Sequence, residues 1–172
     1  MAEEATEVSL PAWVASVRAA APEAVLAIRG VQGADGAADV PTLIVSPAGW
    51  VPVAGALKAE GFDHFVDLAA VDHPEREARL DLLLHLRNLD AGLLVRCRTE
   101  VRDGQSVGSL EPLFAGAGWA EREVYDLLGV GFVGNADLRR LLLPEDWTGY
   151  PLRRDYPLTG PRALDPESPY AH

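Results

Sequence analysis

The order of structural signals along the chain predicts an α+β fold. Helices pack on one face of a mixed sheet, in the order α-β-β-α-β-β-β-α, with an extended C-terminal arm. Three observations carry this. Leu80, Leu82, Leu84 and Leu86 alternate with Asp81, Leu83, His85 and Arg87, and Leu93, Val95, Cys97, Thr99 and Val101 alternate with Leu94, Arg96, Arg98 and Glu100. Period two over two adjacent runs is the pattern of paired, half-buried strands. Helical spacing and capping signals precede them, and beyond Gly129 no period is sustained.

The elements follow in order. Ser9 is placed to cap a first helix with Pro11 in its first turn, and Leu10, Trp13, Val14, Val17 and Ala21 follow at helical spacing. Pro22 ends it. Ala24 to Arg29 reads as a strand, residues 30–36 as a glycine-rich loop, and Pro41 to Val45 as a second strand. Ser46-Pro47 supplies an N-cap with proline at the first helical position, and Gly61 closes the second helix. Pro52 inside that helix predicts an irregular first turn. Phe62 to Val71 reads as the third strand, with a turn at Asp72-His73-Pro74, and the two alternating runs form a hairpin through Asn88 to Gly92. A last helix is expected over Leu110 to Leu128, broken near Gly116-Ala117-Gly118.

With 172 residues, 48% hydrophobic and 24% charged, the composition is that of a globular chain with roughly one domain's length. Residues 1–130 are expected to form the α+β domain and 131–172 the arm. Six of the 13 prolines fall in residues 144–172, among Trp147, Tyr150, Tyr156 and Tyr170. A solvated linker is polar and aromatic-poor, so this stretch reads as an arm made to lie on another surface.

Several function classes are excluded. The net charge of −11 repels phosphate backbones, so no nucleic-acid partner is expected. Cys97 alone cannot make a disulfide within the chain, a four-cysteine zinc site or a cysteine-held cluster. The start, Met1-Ala2-Glu3-Glu4, is acidic where a signal peptide is basic. The uncharged stretch from Val40 to Leu57 contains Pro41, Pro47 and Pro52, which breaks any spanning helix. The expectation is a soluble, cytoplasmic chain.

The densest polar cluster is Glu121-Arg122-Glu123-Val124-Tyr125-Asp126. On a helix, Ala120, Val124, Leu127 and Leu128 form the apolar side, with Arg122, Glu123 and Asp126 opposite. Paired carboxylates serve acid–base chemistry or hold a hard cation, but a solvated face laced with ion pairs fits the same pattern and is the expected one. His64, His73, His85 and His172 lack metal-ligand spacing, so no metal is expected. Cys97 sits on the inward register of its strand. The glycines at 30, 33 and 36 lack the spacing and lysine of a phosphate loop, and no serine occupies a nucleophile elbow. No complete catalytic constellation results.

The run Glu121-Arg122-Glu123-Val124-Tyr125-Asp126-Leu127-Leu128-Gly129-Val130, then Gly131-Phe132-Val133-Gly134, resembles the signature of the 30-kDa subunit family of respiratory complex I, the bacterial NADH–quinone oxidoreductase included. Asp137-Leu138-Arg139-Arg140-Leu141-Leu142-Leu143-Pro144-Glu145-Asp146-Trp147 extends the resemblance, as does Gly149-Tyr150-Pro151-Leu152-Arg153-Arg154-Asp155-Tyr156-Pro157-Leu158. Asp67 to Asp72 resembles a weaker strand motif of the same family. One departure stands out: Asn135-Ala136 occupies the place where the family usually has His-Pro, so no histidine role carries over.

The resemblance implies a cofactor-free structural subunit of the peripheral arm of a proton-translocating NADH–quinone oxidoreductase. Flavin, iron–sulfur clusters and quinone would reside in partner subunits. The partners implied are the large quinone-pocket subunit and other peripheral-arm subunits. The location implied is the cytoplasmic side of the cell membrane, peripheral and through the complex only. The equivalent subunit of an energy-converting hydrogenase or a ferredoxin-linked quinone reductase is the alternative. Glu121, Arg122, Glu123 and Asp126 are then the structural hub that fixes the start of the arm. Arg139, Arg140, Trp147, Arg153, Arg154, Asp155 and Tyr156 are the expected partner contacts, because guanidinium forks and amphipathic rings suit interfaces.

Overall fold

Alternation along the strands decides the layering. The computed structural model describes residues 11–30 and 40–158. The Ser9 cap, most of the glycine-rich loop expected at 30–36 and the chain from 159 onward lie outside the described residues. The elements are α1 (Ala12–Ala20), β1 (Val25–Arg29), β2 (Thr42–Val45), α2 (Trp50–Ala59), β3 (His64–Asp72), β4 (Leu80–Asn88), β5 (Leu93–Val101), β6 (Ser106–Gly108), α3 (Ala117–Leu128) and β7 (Gly131–Val133).

Five strands form one mixed sheet in the order β1-β2-β5-β4-β3. The β1–β2, β5–β4 and β4–β3 pairs are antiparallel, while β2 and β5 run parallel. Leu80, Leu82, Leu84 and Leu86 of β4 and Val95, Cys97, Thr99 and Val101 of β5 turn inward and are buried, as their period demands. All but Thr99 meet Val53, Ala54 and Leu57 of α2, Val17 of α1, and Val124 and Leu128 of α3 in a single hydrophobic cluster. Trp13 packs edge-on against Phe62 with centroids 5.0 Å apart. Burial also pushes the Cys97 thiol up to about 12, consistent with a small buried hydrophobe.

Local signals account for the helix ends. The Ser46 hydroxyl accepts the Gly49 N–H at 3.2 Å, and Pro47–Gly49 forms a 3₁₀ turn leading into α2. Pro52 then falls in the first turn of α2, where its missing N–H costs nothing. Gly61, at φ +86°, ends the helix in the left-handed region.

Two expectations are corrected. The helix expected from Leu110 begins only at Ala117; residues 110–116 form turns in which Leu113 and Phe114 both donate to the Leu110 carbonyl. Gly116 disfavours continuing such a helix into α3. The second sheet, with β6 and β7 parallel, has no counterpart in the sequence reading, because three-residue strands are too short to show a period.

Candidate functional site

The site is built from α3 outward. Gly129, at φ +81°, closes α3 by donating to the Val124 and Tyr125 carbonyls. A side chain at this position would meet the Tyr150 ring at 2.6 Å, so glycine is required for both conformation and contact.

The face expected to be solvated is instead buried in its main members. Glu121 and Asp126 are fully buried and Arg122 nearly so; Glu123 alone of the four is exposed. A carboxylate tolerates such burial only when its oxygens are hydrogen-bonded, and both are. Glu121 Oε1 accepts the Leu110 N–H at 2.6 Å, while Oε2 accepts the Ser109 hydroxyl at 2.7 Å and the Asn135 amide at 2.8 Å. This one side chain therefore joins the turn after β6 to the turn after β7. Asn135 is one of its donors, and its own Oδ1 accepts the Asp137 N–H at 2.9 Å.

Asp126 holds the chain beyond. Its Oδ2 accepts the backbone N–H groups of Leu141, Leu142 and Leu143 at 2.8 to 3.0 Å, and its Oδ1 receives Arg140 Nη1 at 2.7 Å. Burial pulls the Asp126 pKa upward, but these donors outweigh it and leave the carboxyl below its ordinary range. Arg140 continues to the carbonyls of Trp147 and Gly149 at 2.9 and 3.2 Å. Arg122 donates to the carbonyls of Arg139 and Arg140, pairs with Asp137 at 3.4 Å and lies over the Trp119 ring at 4.9 Å.

A second fastening lies at the end of β3. Arg79 forks onto Asp72 at 2.5 and 2.9 Å and onto Asp155 at 2.6 and 2.9 Å, while the Arg154 N–H donates to Asp72 at 2.8 Å. The Arg79 hydrogen bond holds the Asp72 carboxyl at about 2, against the opposing effect of burial. Arg153 donates to the Leu128 carbonyl at 2.8 Å, forks onto Asp103 and stacks on Tyr150 at 4.6 Å.

The seven residues expected at a partner thus have these places. Arg140, Arg153 and Asp155 bond to the chain's own groups. Trp147 is half-buried and lends its carbonyl to Arg140, and Tyr156 donates its hydroxyl to the Thr148 carbonyl at 3.2 Å. Arg139 is exposed and pairs with Asp137 at 2.8 Å, and the Arg154 side chain is exposed. Sequence reasoning missed Arg79, Asp103, Ser109 and Asn135 as members of the arrangement. Asp72 carried a signal as the last residue of the β3 motif, and Asn135 only as a departure from the family pattern, not as a ligand of Glu121.

Chemically the hub is a set of fasteners. The two grooves beside it hold about 160 and 180 Å³, below the roughly 300 Å³ at which small-molecule sites begin. Among the described residues no group of three His, Cys, Asp or Glu side chains is arranged to hold a metal ion. No helix of the described residues is long and apolar enough to cross a membrane.

A mixed five-stranded sheet with three helices defines a small α+β fold that solved structures resemble. A trypsin-resistant fragment of Nqo5 (residues 1–134) matches with a TM-score of 0.58 at 22% identity, covering 64% of this chain and 89% of that one. A chain of the membrane-bound sulfane sulfur reductase, described as an archaeal respiratory membrane complex, matches with a TM-score of 0.70 at 23% identity over 84% of each chain. These likenesses show the fold. Sequence shows the family: the pattern of the respiratory-chain NADH dehydrogenase 30 kDa subunit matches residues 43–162, and the chain belongs to that family. It is 40% identical over 122 residues to the mitochondrial NADH-ubiquinone oxidoreductase 30.4 kDa subunit of Neurospora crassa, covering 69% of this chain and 43% of that protein. It is 39% identical over 122 residues to a subunit of the NADH-quinone oxidoreductase of Jannaschia sp., covering 69% and 59%. The chain spans about half the length of the curated relatives it matches.

Proposed function

We propose that the chain is a cofactor-free structural subunit of the peripheral arm of a proton-translocating NADH–quinone oxidoreductase, scaffolding the module that binds quinone. Its partners are the quinone-pocket subunit and other peripheral-arm subunits. They carry the flavin, the iron–sulfur clusters and the quinone site. The chain sits on the cytoplasmic side of the membrane and reaches it through the complex.

Family membership supports the assembly, and one observation supports the scaffolding role. The two buried carboxylates of the signature, Glu121 and Asp126, bind the chain's own backbone and side chains at every oxygen. Groups saturated in this way fix the path of residues 109–111 and 135–149; they are not poised to transfer a proton to a substrate. Mild-detergent purification from native membranes, followed by mass spectrometry, tests the reading. Flavin and iron–sulfur subunits together with a quinone-pocket subunit are expected. A nickel-site subunit in their place would assign the chain to a hydrogenase. Recovery of the chain alone in the soluble fraction would defeat the assembly.

A further inference from the structure

The helices cover one face of the five-stranded sheet, and no described helix covers the other. Strand register places a polar row across that open face. Arg29 of β1 lies beside Thr42 of β2, Thr42 beside Arg96 of β5, Arg96 beside His85 of β4, and His85 beside Asp67 of β3. Arg87, two residues beyond His85, shares the face, since Leu84 and Leu86 on either side of His85 are buried inward.

These three arginines differ from most in the chain. Arg76, Arg79, Arg98, Arg122, Arg140 and Arg153 each pair with a carboxylate. Arg29, Arg87 and Arg96 form no ion pair with a described carboxylate. Arg96 is half-buried, and its Nε donates at 2.7 Å to the neutral Nε2 of His85. A half-buried guanidinium that meets a neutral imidazole through Nε keeps most of its fork available.

We propose that this open sheet face docks an acidic, extended segment of a partner protein, with its carboxylates on Arg29, Arg87 and Arg96. The proposal builds on the reading of the chain as an assembled subunit and names the chemistry of one contact. The spacing fits. Arg29 and Arg96 are two strands apart, about 10 Å, and Arg96 and Arg87 are diagonal neighbours at roughly 7–8 Å. Alternate residues of an extended segment repeat every ~6.6 Å on one side. Half-buried Leu83 and Leu94 lie beside the arginines and offer apolar contact for the residues between. A protein segment is favoured over an anionic membrane or nucleic acid because the net charge of −11 repels a broad polyanionic surface, whereas a single segment meets only the local basic row. Asp67 at the far end of the row sets the limit of the basic stretch.

The test uses the full chain at low salt and a fluorescein-labelled peptide of alternating Glu and Val, read by anisotropy. Saturable binding is expected. Arg87→Gln with Arg96→Gln should weaken it about tenfold or more, while Arg18→Gln, on α1, leaves it unchanged. Conservative Arg87→Lys with Arg96→Lys keeps the charge and should fall between, which separates loss of the fork from loss of fold. Absence of binding overturns the proposal, and so does undiminished binding by the Gln variant. Binding that emerges only after Asp35→Asn with Asp39→Asn would overturn it in favour of the chain's own loop as the occupant of the face. Arginine-dependent binding to equimolar phosphatidylserine–phosphatidylcholine vesicles, without peptide binding, would overturn it in favour of a membrane. All of this is measured on the isolated chain, so failure here is distinct from failure to recover the complex.

Discussion

Asp126 shows how far a single side chain can be misjudged from its position on a helical wheel. The wheel turns its carboxylate to water among neighbouring charges, yet it is buried and receives three backbone N–H groups and one guanidinium. The donors come from residues 140–143, where helical periodicity has ended, so no local pattern announces them. Asp126→Asn keeps the shape but turns an NH₂ group toward either the N–H cluster or Arg140. It should cost about 3–5 kcal/mol, the range for breaking a buried charged pair. Urea denaturation measures this, and a loss under about 1 kcal/mol would show that residues 140–143 relax freely. His85 gives a second test at this scale. Burial and the adjacent Arg96 hold its pKa below the ordinary 6.5. In the window just below 6.5 the unfolded chain binds more protons than the folded one, so stability contributed by neutral His85 falls as pH drops. NMR titration should place the His85 midpoint below 6.5 and show it rising in Arg96→Gln. A midpoint at or above 6.5 in the parent chain would contradict the assigned Arg96–His85 bond.

Elements were legible in proportion to their length and alternation. The β4–β5 hairpin could be read directly because Leu80, Leu82, Leu84 and Leu86 and, across from them, Val95, Cys97, Thr99 and Val101 had to leave water, and all eight are buried. Leu93, at the turn end of β5, is exposed instead, and Asp81 of the outward set is buried among ion pairs. Ser46, Pro47 and Gly61 marked the ends of α2 because capping chemistry is local. The parallel β6–β7 pair and the fastening of residues 150–156 were not legible. Arg79 meets Asp155 across 76 positions, and Arg153 meets Asp103 across 50. Sequence spacing holds no trace of such contacts. The β3 end can be tested as a unit. Asp72 titrates at about 2 rather than 3.8 because Arg79 donates to it. A lowered carboxylate contributes stability that is present above pH 3.8 and lost as pH falls through about 2, on the order of 2 kcal/mol in full. Arg79→Gln should raise the Asp72 midpoint toward its ordinary value in carboxyl NMR and abolish that acid dependence. An unmoved midpoint would show that the Arg154 N–H alone sustains it.

At the scale of the whole molecule, the C-terminal segment is fastened to the domain without forming its core. The hydrophobic cluster ends at Phe132, with Leu138 packed against it, and contains nothing from residues 139–158. What holds those residues is polar: Asp126 on 141–143, Arg140 on Trp147 and Gly149, Arg79 on Asp155, and Arg153 on Leu128 and Asp103. Hydrogen bonds at a part-exposed surface contribute about 1 kcal/mol each, whereas the sheet and its helices are held by burial that this segment does not supply. A chain ending at Leu143 keeps the three N–H donors to Asp126 and loses the fastenings beyond. Its far-UV circular dichroism should match that of the full chain at 25 °C, with a lower denaturation midpoint. Under the proposed function it should also fail to assemble with its proposed partners, because the exposed Leu152 and Leu158 and the side chains around Tyr156 are gone from the outer surface. Cooperative unfolding of the shortened chain at 25 °C would show that the polar fastenings are part of the folding unit itself. Normal assembly without residues 144–172 would show that the partner is held elsewhere, leaving the open sheet face as the surface to examine.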